Sequence, residues 1–133
     1  MEDRDVEVAV QLARATVGVD ESVPAEAFPV RRLDRDSRYA LVQVGRPRES
    51  GWVVAVDVDQ SDVMTWAVNA SGESTIPTER PPELSSGEAE LVWRPSRSSQ
   101  SPLYPLLRIS NDEGEWFIDL AGEVSTTLSD GRA

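Results

Sequence analysis

The sequence predicts an α+β fold, with one N-terminal helix packed on a curved antiparallel sheet of about six strands. Three observations predict it: a helical spacing of apolar residues near the start, apolar runs separated by turn residues from position 39 onward, and two similar hairpin segments fifty residues apart. A chain of 133 residues with 39% hydrophobic content fits a single domain, 1–133, with its own core. A mainly β roll with the helix plugging one end is the alternative.

The helix is predicted over residues 3–17. Asp3 is a candidate N-cap, and acidic residues follow in the first turn, where the helix dipole favours them. Gly18 is a natural stop. Apolar residues recur at the i, i+3, i+4 and i+7 spacing of one helix face, which gives the stripe Val6, Ala9, Val10, Ala13 and Val17.

The sheet is predicted over residues 39–128. Residues 19–37 contain two prolines and a charged run, and we expect a loop there, with one helical turn near 25–28. Two segments rich in Pro and Ser, 74–87 and 94–102, are expected to be mobile loops. The predicted strands are 39–44, 52–58, 63–68, 88–93, 106–109, 116–120 and 124–128. The predicted core is Val6, Val10, Ala13, Val17, Leu41, Val54, Val56, Trp66, Val68, Leu91, Trp93, Leu107, Ile109, Trp116 and Ile118.

Two half-repeats lie at an offset of fifty residues. In each half a Trp strand runs into an Asx-x-x-Gly-Glu turn, in which the Asx side chain bonds forward to the backbone and the glycine supplies a positive φ. Duplication and convergence on common turn chemistry both explain the pattern. Either origin predicts that both tryptophans are buried and that both glycines have positive φ. The matched pairs are Trp66 with Trp116, Val68 with Ile118, Asn69 with Asp119, Gly72 with Gly122, and Glu73 with Glu123.

The composition narrows the chemistry that this chain can perform. It contains no His, no Lys and no Cys, and its 13 basic residues are all arginine. The commonest general base near neutral pH, the Schiff-base amine and the thiolate nucleophile are therefore absent. We expect no enzyme activity, no cofactor and no metal.

The net charge of −11 indicates which partners the chain attracts. A negative field repels nucleic-acid phosphates and attracts basic proteins. We expect a basic protein partner, no nucleic acid and no membrane. The chain start resembles no secretory signal, which predicts a cytoplasmic protein. The sequence specifies no oligomeric state.

Charged clusters supply the candidate binding residues. The arginine run over 31–48 can clamp a carboxylate or phosphate, or form local ion pairs with the acids interleaved in it. The Asp cluster at 57–62 fails the spacing of an EF-hand and is expected to flank a turn. Two acids share one face of the strand near 88–93. The predicted binding residues are Arg31, Arg32, Arg35, Asp57, Asp59, Asp62, Glu88 and Glu90.

The segment Phe117-Ile-Asp-Leu-Ala-Gly-Glu-Val124 closes a helix, strand and meander order that resembles the small α+β domains of YrhB-like immunity proteins and PepSY domains. Ala121 stands where those proteins usually carry Thr. The resemblance implies a non-catalytic protein that binds and neutralises a protein partner, and it carries over no catalytic residue.

Two hypotheses on function follow. The first is a non-catalytic, acidic protein-binding module of the immunity-protein or adaptor type. The second is a small-molecule-binding protein or enzyme with a pocket lined by Trp, carboxylates and the arginines of 31–48. A deep site in which Arg and carboxylates converge favours the second, and a flat acidic face favours the first.

Overall fold

The computed structural model describes residues 2–46, 48–77, 80–84, 86–96 and 99–126. The chain is α+β, as predicted, and the described residues form one α-helix, eight strands and a short 3-10 helix, against about six strands in the prediction. The elements are α1 (Asp3–Val17), β1 (Ala25–Arg32), β2 (Arg38–Val44), β3 (Gly51–Asp57), β4 (Asp62–Asn69), the 3-10 helix Pro82–Leu84, β5 (Glu88–Trp93), β6 (Leu106–Asn111), β7 (Gly114–Ile118) and β8 (Val124–Ser125).

The chain divides into two compact units. Unit 1 contains residues up to Val30 and residues 37–74, and unit 2 contains residues 31–36 and those from 75 onward. The last two residues of β1, Arg31 and Arg32, therefore belong to unit 2. Residues 127–128 of the predicted last strand, and residues 78, 79, 85, 97 and 98 of the two predicted mobile loops, lie outside the described residues.

Helix α1 has the bounds that the sequence predicts. It begins at Asp3, preceded by an extended Glu2 as N-cap residue that makes no side-chain capping bond, so the prediction of Asp3 as N-cap is wrong. It ends at Gly18, whose φ of 75° is left-handed and whose N–H donates to the carbonyl of Arg14. Ala9 and Ala13 are buried on its inner face, where their small side chains let the helix approach the sheet.

The strands of unit 1 are hydrogen-bonded in the order β4-β3-β2-β1. Pairs β2–β3 and β3–β4 are antiparallel, and Val42 lies opposite Val54. The helix contacts β2, β3 and β4. Because side chains alternate along a strand, every second residue of β3 faces the helix, as predicted. The helix-side cluster is Ala9, Ala13, Ala40, Val42, Val44, Val54 and Val56, with Trp52, Val58 and Val63 partly buried against it.

Strand β1 replaces the loop and helical turn predicted over this stretch. Ala25 and Ala27 pack against the helix-side cluster while Glu26 between them is exposed, which is the alternation of a strand. Pro29 removes a single backbone donor, so it lowers the local signal for a strand without preventing the other residues from pairing. Packing between elements therefore outweighs the unfavourable local effect of Pro29.

A bulge interrupts β4. Thr65 lies opposite Ala55 and Val63 lies opposite Val56, so Met64 has no counterpart on β3. A bulge of this kind adds one residue to one strand and increases the local twist. Regular pairing of β4 after the bulge runs from Thr65 to Asn69.

Unit 2 is mostly an antiparallel meander. Strands β5, β6, β7 and β8 pair in sequence order, and the last two residues of β1 pair with β5 in parallel, Arg31 opposite Val92. One face of this sheet holds an apolar cluster, with Leu91 and Trp116 partly buried at its edge. The buried members of this cluster are Leu84, Leu107, Ile109 and Ile118.

The positive φ predicted for both glycines of the repeat is confirmed, and the burial predicted for both tryptophans is wrong for one of them. Gly72 and Gly122 have φ values of 70° and 87°. Trp116 packs against the apolar cluster of unit 2, whereas 47% of Trp66 is exposed. The predicted burial of Val68 is also wrong, since 64% of it is exposed. Both exposed residues lie on β4, which ends the strand order, and the helix-side cluster does not extend to them.

The two glycines also differ in their surroundings. A Cβ on Gly72 would lie 2.4 Å from the carbonyl oxygen and 2.5 Å from the amide nitrogen of Glu49. A Cβ on Gly122 would meet nothing within 4 Å. Gly72 is therefore required both for its positive φ and for a close approach between two backbone segments, and Gly122 for its φ alone.

Gly72→Ala should therefore destabilise the protein more than Gly122→Ala. A positive φ costs an alanine about 1 kcal/mol at either site, whereas displacing the Glu49 backbone adds about 1–3 kcal/mol at Gly72 alone. Urea denaturation of the two variants measures the difference in free energy of unfolding. Equal losses, or a larger loss at Gly122, would contradict the close approach.

Candidate binding site

The predicted binding residues lie in both units. Asp57, Asp59 and Asp62 belong to unit 1 and stand at the turn between β3 and β4. The other five belong to unit 2: Arg31, Arg32, Arg35, Glu88 and Glu90.

The three aspartates flank a turn, as predicted. One carboxylate oxygen of Asp57 accepts the N–H of Asp59 at 3.0 Å and that of Gln60 at 3.1 Å, which fixes the start of the turn. Asp59 and Asp62 are exposed, and neither makes an ion pair with any described residue. Within the described residues no group of three or more His, Cys, Asp or Glu is placed to hold a metal ion. The turn presents free negative charge.

Arg31 and Glu90 belong to an ion-pair ladder across the sheet of unit 2. Glu90 Oε1 accepts from Arg31 at 2.6 Å and from Arg108 at 2.7 Å, and Arg108 Nε donates to Glu115 at 2.6 Å. The hydrogen bond from Arg31, followed by that from Arg108, holds the pKa of Glu90 below its ordinary value of 4.5. The ladder satisfies these four charges internally.

Arg32 also forms a local pair, as the interleaved acids predict. Its guanidinium binds Asp34 through two hydrogen bonds of 2.9 and 2.7 Å and lies 5.2 Å from the ring centre of Trp93. The bond from Arg32 holds the pKa of Asp34 below its ordinary value. Arg35 and Glu88 are exposed and make no ion pair within the described part of the chain.

A basin of about 710 Å³ lies at one end of unit 1. Three backbone segments form its walls: the start of β1, the β2–β3 hairpin end and the loop that follows β4. The lining residues are Pro24, Ala25, Glu26, Gln43, Val44, Gly45, Arg46, Arg48, Glu49, Gly51, Trp52, Asn69, Gly72, Glu73 and Ser74.

Backbone contacts join the basin walls. The N–H of Glu49 donates to the carbonyl of Arg46 at 3.1 Å, which closes the turn of the hairpin. The N–H of Arg48 donates to the carbonyl of Gly72 at 3.3 Å, and Arg48 itself has a left-handed φ of 66°. Non-glycine residues in this conformation are uncommon and concentrate at functional sites. The close approach at Gly72 thus fixes the arginine-bearing turn against the loop after β4.

The basin brings unpaired charges of both signs together. Arg46 and Arg48 line it with Glu26, Glu49 and Glu73, and none of the five makes an ion pair with another described residue. Trp52 supplies an apolar wall. This composition, with two arginines from the 31–48 run, matches the pocket of the second hypothesis, although none of the predicted binding residues lines it.

The basin adjoins an exposed apolar strip on β4. Trp52, a basin residue, lies opposite Val68, and Trp66 is two residues away on the same face of the strand. The sequence does not predict that this strip is exposed, because the alternation typical of a buried face is the same on an edge strand and an inner strand. Only the strand order distinguishes the two positions.

Comparison of the chain with protein-family models, with curated proteins and with solved structures finds no match in any of the three. The resemblance to YrhB-like immunity proteins and PepSY domains therefore stays a prediction. Among the described helices, none has the length and apolar content needed to cross a membrane.

The ion-pair ladder should make stability depend on pH through Glu90. A folded-state pKa below 4.5 means that the ion pairs stabilise the fold above that pH and that this contribution is lost as the pH falls through the folded pKa. Glu90→Gln should lower the free energy of unfolding at pH 7 by at most about 1 kcal/mol, because the pairs are partly exposed.

The control is Glu88→Gln, which removes the same charge from the same strand without breaking an ion pair. Denaturant unfolding at several pH values from 3 to 7 measures both variants. The deficit of Glu90→Gln should disappear toward pH 3, and a deficit that grows with acidification, or an equal one at Glu88, would contradict the ladder.

Proposed function

We propose that this chain is a non-catalytic, acidic protein-binding module of the immunity-protein or adaptor type, and that it binds a basic protein. One observation carries the proposal. Unit 1 has twelve carboxylates and five arginines, a net charge of −7, and none of these carboxylates makes an ion pair with a described residue. Unit 2, by contrast, uses Asp34, Glu90 and Glu115 in internal pairs.

Free carboxylates support binding because their field extends into solvent. A paired carboxylate is largely cancelled at the distance of an approaching partner, whereas an unpaired one attracts opposite charge over about 10 Å at ordinary ionic strength. Such a field raises the rate at which a basic protein meets this one. The turn of Asp57, Asp59 and Asp62 concentrates three of these charges on six residues of chain.

The composition supports the non-catalytic part of the proposal. Without His, Lys or Cys, a serine here has no neighbouring base to activate it. Recognition through charge and shape needs none of these residue types. The resemblance of the closing segment to immunity proteins is in keeping with this function, and we place the protein in the cytoplasm.

Neutralising the aspartate turn tests the proposal. The tagged protein is used to isolate its partner from the cells of its source, and the association rate with the purified partner is measured by surface plasmon resonance at increasing salt. The partner should be basic, and the rate should fall steeply with salt. Asp57→Asn/Asp59→Asn/Asp62→Asn should lower the rate by about tenfold at low salt.

The matched control is Asp112→Asn/Glu113→Gln/Glu123→Gln, which removes the same charge from exposed positions of unit 2. It should change the rate by much less. A specific partner that is acidic, or an association rate that does not respond to salt, would refute the proposed function.

The basin supports a second candidate function, the binding of a small organic anion. Its unpaired Arg46 and Arg48 are suited to a carboxylate or phosphate, and Trp52 offers an apolar surface for the body of the ligand. The volume of about 710 Å³ is within the usual range for small-molecule sites.

Benzoate and phenyl phosphate are suitable probes for this candidate. In NMR titrations they should shift the indole N–H signal of Trp52, and Arg46→Gln/Arg48→Gln should weaken binding by at least about tenfold. Arg4→Gln/Arg38→Gln is the control, because it removes two exposed arginines of unit 1 that lie outside the basin. Equal weakening by both pairs would show a general charge effect and would exclude a site in the basin.

A further inference from the structure

We propose that the free edge of β4 is where the partner binds, and that the partner contributes an extended, basic segment that pairs with Thr65–Asn69 as an added strand. This inference rests on the proposed function and specifies its interface.

The backbone of β4 is open to pairing on one side. Among the described residues it hydrogen-bonds to β3 alone, because it stands at the end of the strand order. An edge strand presents a row of unpaired N–H and C=O groups that a further strand can use. In unit 2 the last strand, β8, has only two residues, whereas β4 has eight.

Strand β4 has few of the features that usually prevent an edge strand from pairing with another chain. Its sequence, DVMTWAVN, contains no proline and no basic residue, and its only charge is Asp62 at the first position. The bulge at Met64 disturbs the edge near that end. It leaves Thr65–Asn69 as an uninterrupted stretch, which sets the length of the added strand at about five residues.

Exposed side chains on this stretch suit an added strand. Trp66 and Val68 are two positions apart, so they lie on one face, and they are 47% and 64% exposed. A neighbouring strand would cover both with its own alternate side chains. Cross-strand pairs of aromatic and β-branched residues are among the favourable ones. The backbone would thus supply pairing, and this face would supply selectivity.

The charges at the two ends of β4 favour a basic segment as the added strand. Asp57 and Asp59 precede β4 and Asp62 begins it, and all three are without an ion pair among the described residues. At the other end lies Glu73, in the basin whose three glutamates outnumber its two arginines, so both ends of the edge carry net negative charge. A segment with arginine or lysine at its ends would meet opposite charge at each. A second copy of this chain would instead bring together two units of net charge −7, which opposes pairing of β4 with itself.

The probe for this inference is a synthetic nine-residue peptide with alternating valine and threonine in its centre and arginine at both ends. A peptide of the same sequence with glutamate in place of arginine is the charge control. ¹⁵N-labelled protein is titrated with each peptide up to millimolar concentration, and amide hydrogen exchange is recorded with and without peptide. The arginine peptide should slow exchange at alternate residues of Thr65–Asn69, because main-chain pairing uses every second amide.

A pair of valine variants tests the side-chain contribution. Val68→Lys places a cation where the basic segment docks and should weaken peptide binding by at least about tenfold. Val124→Lys is the control, because that valine is also an exposed strand residue, at 39%, but lies on β8 of unit 2. Circular dichroism should show both variants folded, since neither valine is buried.

Three results would overturn the inference: no β4 amide responds at millimolar peptide, exchange slows without the alternate pattern, or the glutamate peptide binds equally well. A dimer in sedimentation equilibrium that Val68→Lys dissociates would assign the edge to self-association instead. If the intact partner still binds with steep salt dependence and Val68→Lys leaves that binding unchanged, strand addition at β4 fails and the proposed function survives. If the isolated partner is acidic or insensitive to salt, the proposed function itself fails.

Discussion

The close approach of Gly72 to the backbone of Glu49 is the contact on which the basin of unit 1 depends. Two turns that are far apart in the sequence meet there without a side chain between them. The meeting aligns the arginine-bearing hairpin end with the loop after β4, and so creates the basin. A single missing Cβ therefore allows two walls of the basin to meet.

The two units differ in how they use charge. In unit 2 the half-exposed Glu90 and Glu115 pair with arginines of neighbouring strands, in the ladder that runs from Arg31 to Glu115. Unit 1 leaves its carboxylates in water and has no comparable ladder among its described residues. Because surface ion pairs add little to stability, the ladder acts mainly by fixing strand register and by removing those charges from the outward field. The larger share of the described carboxylates without an ion pair therefore lies on unit 1.

Local patterns in the sequence predict a large part of this fold. The spacing of Ala9 and Ala13 gives the helix, and the positive φ of Gly72 and Gly122 follows from turn chemistry that needs only neighbouring residues. Strand β1 is not predicted from the sequence, because Pro29 interrupts its local strand pattern and because the strands that pair with it are distant in the chain. The exposure of Trp66 is not predicted either, because alternation shows which residues share a face but not whether another element covers that face.

The candidate site is harder to predict for the same reason. Glu26, Arg46 and Glu73 come from three segments, and no spacing along the chain brings them together. The arginine run correctly suggested local pairing at Arg32, where the acid is two residues away. The basin needs tertiary contacts that a single sequence does not encode in any short window. The composition is still informative, because a chain without His, Lys and Cys is better suited to binding than to catalysis.

The bulge at Met64 has a consequence for how copies of the folded protein associate at high concentration. An uninterrupted strand of eight residues with exposed Trp and Val would be a template for fibrous aggregation, in which identical segments stack in register. The extra residue twists the strand near its start and leaves five regularly paired residues, so the flat edge that a copy of the folded protein could pair with is shorter. The bulge thereby limits the regular edge that copies of the folded protein could share to a short segment.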